Sequence, residues 1–432
     1  MRLQGQSIAV LGAGALGLTA ALRLAQRGAK VTVLEREPLA GGLASGFQPV
    51  PGVWLERFYH HLFRSDRHAV ALIEELGLGN RLAWHRPLTS TLHGGRRREL
   101  DSPMSLLRFS PLAPMDRIRM GLVLAALRVL PGPAPLEGRT AAGWLRSTMG
   151  RRGFEIVWQP LFRSKFGDAG DEIALPWFWA RVHDRTAELG YLSGGFQLLY
   201  ERLRERIVEV GGSVLLGAEV TSIASRDGRP AVTVRQAQAD DELGFDAVLS
   251  TLPTRLTCRL APDLPAAYRE RHDWPRAYGA HCLILGLDRP LTDVYWLNLN
   301  DPGFPFMAVV EHTNLRSPDE YDGLHLLYLA NYRAMDDPIY QASAEQLVAD
   351  WTDALRRLNP DFSPEWIRAS WVQAAPFAQP IVTTAYRQHI PPFDTPVPGL
   401  FVANMFQVYP HDRGQNYSIA LAEDVVRHIA RA

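Results

Sequence analysis

At 432 residues the chain exceeds one ordinary core, and two closely packed domains are expected. Hydrophobic residues at 47% and charged residues at 21% give a globular balance that excludes disorder. The 46 basic and 46 acidic side chains cancel, which argues against a polyanion such as nucleic acid as partner.

The opening Met1–Gln6 is polar, and the apolar run after it is broken by glycines, so it lacks the pattern of a secretory signal. Ser7 to Leu11 has the length of a buried strand, and Gly12-Ala13-Gly14-Ala15-Leu16-Gly17 follows at once. Leu18 to Arg27 then reads as a helix, with Leu18, Leu22 and Ala25 on one face and Gly28 as its stop. Val31 to Leu34 is a second buried strand, ended by Glu35. A bare G-x-G-x-x-G is weak evidence. Here it lies between strand and helix, and an acid follows 18 residues after Gly17, the layout of a dinucleotide fold. Gly12 permits the tight turn, Gly14 lets the backbone approach a pyrophosphate, and Gly17 lets helix and strand pack closely. The free N–H groups of the helix N-terminus, at Ala15, Leu16 and Gly17, complete the anion site. Glu35 can accept ribose hydroxyls and repels a 2′-phosphate, with Arg36 beside it as a further cofactor contact.

NAD and FAD share that motif, so the next residues discriminate. Glu35-Arg36-Glu37 leads through Pro38-Leu39-Ala40 into Gly41-Gly42-Leu43-Ala44. This second glycine pair resembles the extended fingerprint of the flavoprotein superfamily of amine oxidases, protoporphyrinogen oxidases, phytoene desaturases and UDP-galactopyranose mutases. The resemblance implies FAD, with the acid on the adenosine ribose and Gly41 and Gly42 along the pyrophosphate and ribityl chain. Many members carry Arg or Lys directly after the pair, where this chain has Leu43.

Further segments match in order. Gly194-Gly195-Phe196-Gln197-Leu198-Leu199 opens a helical stretch, Tyr200 to Val210, and resembles the family's second glycine–helix unit. Gly212 to Leu216 and Ala218 to Ile223 read as strands, and by resemblance the Val220 backbone meets the adenine edge. Phe245 to Pro253 resembles the strand that returns the chain to the substrate domain. Gly399 to Asn404 reads as a strand, Met405 to Gln415 as a loop and Asn416 to Ala430 as a helix whose N-terminus, in the family, faces the flavin. Many members have Gly-Asp after that strand, and Asn404-Met405 stands there instead. The fold class implied is α/β: a Rossmann-like FAD-binding domain of the GR2 flavoprotein type interleaved with an α+β substrate domain. Residues 1–50, 190–255 and 385–432 are assigned to the first, and 51–189 and 256–384 to the second.

The second domain carries most of the tryptophans, including Trp158, Trp177, Trp179, Trp274, Trp296 and Trp351, more often core than pocket. Met120 to Leu130 is its most apolar helix candidate, preceded by Arg108, Arg117 and Arg119. A basic flank before an apolar helix can lie on a membrane, but a buried helix is the expectation. No apolar run approaches the roughly 20 residues that span a bilayer.

Four candidates carry the chemistry. His61-Leu62-Phe63 resembles the His-Ile-Phe close to the flavin in UDP-galactopyranose mutases, so His61, with His60 second, is placed at the reaction centre. Lys165, one of two lysines in an arginine-rich chain, offers a compact charge or a tunable pKa. Arg413, in the loop from Gln407 to Tyr417, offers a bidentate anion site, with Gly414, Asn416 and Tyr417 expected to reach flavin or substrate. Upstream, Ala378-Gln379-Pro380-Ile381 and Tyr386 resemble the segment that precedes this loop in the family.

Only Cys258 and Cys282 are present, which excludes a disulfide framework and a cysteine-based zinc cluster, and no metal is expected. Neither lies in a cofactor segment, so the FAD is expected to be non-covalent. The cysteine usage fits a reducing, cytoplasmic setting, and the arginine bias fits a GC-rich bacterial genome. The implied reaction is hydride transfer from a small organic substrate to flavin. Two alternatives stand beside it: a redox-neutral mutase-like enzyme acting on a nucleotide or lipid-linked sugar, and a non-catalytic flavin-binding protein.

Overall fold

The run Ser7–Leu11 is the middle strand of a five-stranded parallel sheet in the computed structural model, which describes residues 3–236, 239–273 and 276–431. Across the sheet the strands are Ser213–Leu216, Lys30–Glu35, Ser7–Leu11, Ala247–Ser250 and Leu400–Val402. Covered on both faces, they are apolar almost throughout rather than alternating. Ile8, Val10, Val31 and Val33 point toward the helices Ala15–Gln26, Gln197–Glu209 and Gln415–Arg431. Ala9, Leu11 and Leu34 point the other way. They pack on the antiparallel strands Glu219–Arg226 and Arg229–Gln236 and on the helix Thr254–Leu260.

A second sheet of seven strands is largely antiparallel. Its order is Ile367–Pro380, Ala277–Leu287, His325–Arg333, Ala308–Glu311, Trp296–Leu299, Thr89–His93 and Arg96–Glu99. Helix Ala344–Leu358 buries Leu347, Trp351 and Leu355 against one face. Tyr295, Val310 and Tyr328 on the other face join the core of the parallel sheet. A helical layer between residues 103 and 183 has its own core around Phe162, Phe166, Trp177 and Phe178. The α/β class with a Rossmann-like sheet and an α+β companion, expected from the sequence, is the class observed.

The apolar helix differs from expectation. It runs from Pro114 to Val129, and only Met120 and Leu127 are buried. Met115, Leu122 and Val129 are 72%, 67% and 79% exposed, with Ile118 between them and Met104 and Leu107 exposed on the preceding helix, Pro103–Arg108. The helix also carries Asp116, Arg117, Arg119 and Arg128, and several of its apolar side chains face solvent. Among the described residues no helix is long and apolar enough to cross a membrane. Of the tryptophans, Trp177, Trp179 and Trp351 are core, Trp158 and Trp296 are half-buried, and Trp274 lies outside the described residues.

Candidate functional site

The turn after the first strand leaves room for a ligand. Gly12 takes a φ of 99°, and a Cβ on Gly17 would lie 2.0 Å from the Gly12 carbonyl oxygen, so the protein's own packing demands both glycines. Gly14 differs: a Cβ there would meet nothing within 4 Å. The first intrahelical bond runs from Leu18 N–H to the Gly14 carbonyl at 3.0 Å, leaving the N–H groups of Ala15, Leu16 and Gly17 as orphan helix donors. Gly41 N–H donates to the Ala13 carbonyl at 2.8 Å, and a Cβ on Gly42 would come 3.4 Å from Gly14 Cα. The two glycine segments therefore lie side by side, as a backbone cradle for a diphosphate would.

Glu35 folds back onto this turn. Its carboxylate accepts Ala13 N–H at 2.7 Å and Glu37 N–H at 2.9 Å, which fixes the loop and leaves lone pairs for a ribose. Arg36 points away and pairs with Glu37 at 3.2 Å on the surface. Leu43 is half-buried in the short turn Gly42–Ala44, and Val220 is half-buried beside a bulge.

At the other end of the cradle, Tyr200 lies against Gly41 and donates its hydroxyl to Gln415 Oε1 at 2.6 Å. Gln415 Nε2 is buried with no partner among the described residues. An orphaned buried amide costs about 1–3 kcal/mol, and a cofactor oxygen would satisfy it. The free space at Gly14, the orphan helix donors and this amide all fit FAD.

Several expected contacts are committed elsewhere. Asn416 Oδ1 accepts His68 N–H at 2.9 Å and Ala69 N–H at 3.2 Å, capping the helix Arg67–Glu75. Asn404 Oδ1 accepts Phe406 N–H and its Nδ2 donates to Thr254 Oγ1, each at 3.0 Å, closing the turn after the last strand. Tyr417 donates to Asp184 at 2.7 Å and stacks on His411 at 4.3 Å. Gly414 is exposed with open space around it.

His60, His61, Lys165 and Arg413 come from distant segments into one neighbourhood. His60 Nδ1 lies 2.5 Å from the Phe58 carbonyl, so that nitrogen carries the proton and Nε2 is left as an acceptor. His61 Nδ1 lies 3.1 Å from the Tyr295 hydroxyl, its ring edge-on to Phe63 and Trp296. Burial lowers His60 to about 4 and His61 to about 3, with Arg185 and His60 adding to the shift at His61. Both are neutral at pH 7.

Asp412 organises the cations. It accepts Lys165 Nζ at 3.0 Å, Trp177 Nε1 at 3.3 Å, Arg413 N–H at 3.1 Å, and Arg181. Burial works against its charge, yet Lys165, Arg181 and Arg413 hold it well below the usual carboxylate range. Burial, with Arg181 and Arg413, pushes the Lys165 ammonium down, and Asp412 opposes that shift. Arg413 reaches Tyr332 at 2.6 Å and Gln379, and Tyr332 in turn bonds Tyr59. Asp412, Arg181, Arg185, Tyr59 and Tyr332 were not read from the sequence as site residues. Asp412 had one available signal, its place beside Arg413 in the loop already singled out. Among the described residues no group of His, Cys, Asp or Glu is arranged to hold a metal.

Known proteins share this architecture. The chain is 26% identical over 318 residues to the 15-cis-phytoene desaturase of Synechococcus elongatus, covering 66% of either chain and so just under two thirds of that relative. An oxidoreductase structure from Methanosarcina mazei superposes with a TM-score of 0.76 at 19% identity, over 98% of this chain and all of that one. A reduced UDP-galactopyranose mutase superposes with a TM-score of 0.75 at 16% identity, over 98% of this chain and 95% of its own. The sequence pattern of the flavin-containing amine oxidoreductases matches residues 17–411, and the chain belongs to that family, whose cofactor is FAD.

Proposed function

We propose that this chain is an FAD-dependent oxidoreductase that takes a hydride from an organic substrate, holding its flavin without a covalent bond. The observation that carries the reading is the open backbone cradle at Gly14 and Gly41–Gly42, with the unpartnered Gln415 amide at its far end. Residues 1–50, 190–255 and 385–432 would form the cofactor domain in this reading, and 51–189 and 256–384 the substrate domain. Bound flavin supplies the hydride acceptor. The protein's part is to orient substrate and to exclude water from the reacting atoms. His60 Nε2 is placed to accept a substrate hydrogen bond, and neutral His61 adds no charge to the site. Both cysteines are buried, and neither lies at the cradle, which supports a dissociable cofactor.

A second reading, a redox-neutral mutase-like enzyme, is favoured by His61-Leu62-Phe63 and by the cation cluster around Asp412. The absorption spectrum of the purified protein tests the flavin. Anaerobic mixing with candidate amines, polyenes and nucleotide sugars tests the reaction: bleaching supports oxidation, and turnover only after dithionite supports the mutase. A flavin inert to every substrate would leave a binding protein and refute both.

A further inference from the structure

The described residues expose nine large apolar side chains, and six of them, Met104, Leu107, Met115, Ile118, Leu122 and Val129, lie between residues 104 and 129. Two consecutive helices hold them, Pro103–Arg108 and Pro114–Val129. On the second, Met115, Ile118, Leu122 and Val129 recur at spacings of three, four and seven, which places them on one helix face. The buried pair Met120 and Leu127 lies on the opposite face, so the stripe is turned outward.

The same segment is basic within a chain whose charges cancel. Residues 103–129 carry Arg108, Arg117, Arg119 and Arg128 against a single acid, Asp116. Among the described residues none of the four arginines is paired with a carboxylate. Arg117 donates to the Leu107 and Leu112 carbonyls, each at 2.8 Å, and Arg119 to the Ser147 carbonyl at 2.6 Å. Arg128 donates to the Val182 carbonyl at 3.2 Å and the Arg185 carbonyl at 3.0 Å. These neutral acceptors hold the side chains in place and leave their charge uncancelled. At about 100° per residue, Arg119 falls on one border of the stripe, and Arg117 and Arg128 fall on the other.

A second copy of the chain on this face would set arginine against arginine. The stripe also holds no Trp or Tyr, the side chains that anchor protein interfaces. Aliphatic side chains bordered by arginines suit a lipid–water boundary, where the apolar face enters the acyl region and long basic side chains reach the headgroups. We propose that the helices Pro103–Arg108 and Pro114–Val129 seat the protein on an anionic lipid surface, the stripe toward the acyl chains and the four arginines at the headgroup phosphates. Trp179 Nε1 donates to the Leu130 carbonyl at 3.2 Å, which ties the end of the docking helix to the helix Leu175–His183 and its Arg181. Docking here therefore brings the layer that carries the Asp412 cluster to the lipid. The inference does not depend on the flavin chemistry.

The test floats the full-length protein with extruded vesicles of phosphatidylcholine, alone or with about 30% phosphatidylglycerol. Binding to the anionic vesicles is expected to saturate, to exceed binding to phosphatidylcholine about tenfold or more, and to fall as salt rises from about 0.1 to about 0.5 M. The double variant Ile118→Ser with Leu122→Ser, both at exposed positions, should weaken it about tenfold or more with an unchanged circular dichroism spectrum. Val208→Ser, at an exposed apolar position on the helix Gln197–Glu209, should bind like wild type. The proposal is overturned if neither vesicle binds at millimolar lipid, if both bind equally, or if the double variant binds like wild type. It is equally overturned if Val208→Ser weakens binding as much as the double variant does. A lipid-free dimer that the double variant loses, in a protein that floats with no vesicle, also overturns it, because a second copy then covers the stripe.

Discussion

Gly14 and Gly17 stand three residues apart in one motif and answer to different demands. A Cβ at Gly17 would sit 2.0 Å from a backbone oxygen, so Gly17→Ala must push helix from strand and should cost about 3 kcal/mol or more. At Gly14 the backbone has a φ of −77°, open to any residue, and the space above it is free. Gly14→Ala should therefore leave urea-unfolding stability within about 0.5 kcal/mol while weakening FAD binding about tenfold or more. Equal FAD affinity in that variant would mean that the cradle is not where the diphosphate lies. Asp412 poses the opposite problem, a charge the fold needs. Asp412→Asn leaves Lys165 and Arg181 without their counter-charge in a buried site and should cost about 3–5 kcal/mol in urea unfolding. A loss below about 1 kcal/mol would show the pairs to be solvated.

Among the elements, what was legible in the sequence was local. The unit from Ser7 to Glu35 is written in a strand-length apolar run, three glycines and an acid, all within one βαβ unit. The cation cluster is not, because Asp412 meets Arg181 and Lys165 across 231 and 247 residues of chain. The side-chain roles of Asn404 and Asn416 were hidden for the same reason: each bonds a partner far away in sequence, Thr254 and His68. The helix Pro114–Val129 shows another limit. The apolar run from Met120 to Leu130 reads as buried, but which side finds a neighbour depends on the layer it joins. Met120 is 1% exposed and Leu122 is 67% exposed, so Met120→Ala should cost about 2–5 kcal/mol and Leu122→Ser less than about 0.5. Met115, Ile118, Leu122 and Val129 together form one exposed stripe. Comparable losses for the two variants in chemical denaturation would mean that the stripe is covered in solution.

At the scale of the whole molecule, Glu56 joins segments that no local pattern connects. Its carboxylate accepts Tyr191 O–H at 2.8 Å and Phe196 N–H at 2.7 Å, and its carbonyl accepts Tyr328 O–H at 2.7 Å. The junction links the strand after the first glycine units, the second glycine helix and the large sheet. Burial raises Glu56 from an ordinary 4.5 to about 7, against the lowering effect of Phe196 and Tyr191. The folded state therefore binds this proton more tightly than the unfolded chain. The stability Glu56 contributes is complete below pH 4.5 and is lost as pH rises through about 7. Glu56→Gln keeps an acceptor for Phe196 and removes the titration. Relative to wild type it should gain about 3 kcal/mol in stability between pH 4.5 and 8. The half-buried imidazoles act with the opposite sign. His60 and His61, lowered from 6.5 to about 4 and about 3, contribute stability present above pH 6.5 and lost as pH falls through their folded values. Guanidinium unfolding of the apoprotein and of Glu56→Gln at several pH values separates the two. Parallel stability curves for the pair would show that the Glu56 carboxyl is not held neutral in the fold, and that Tyr191 and Phe196 bind an ordinary carboxylate.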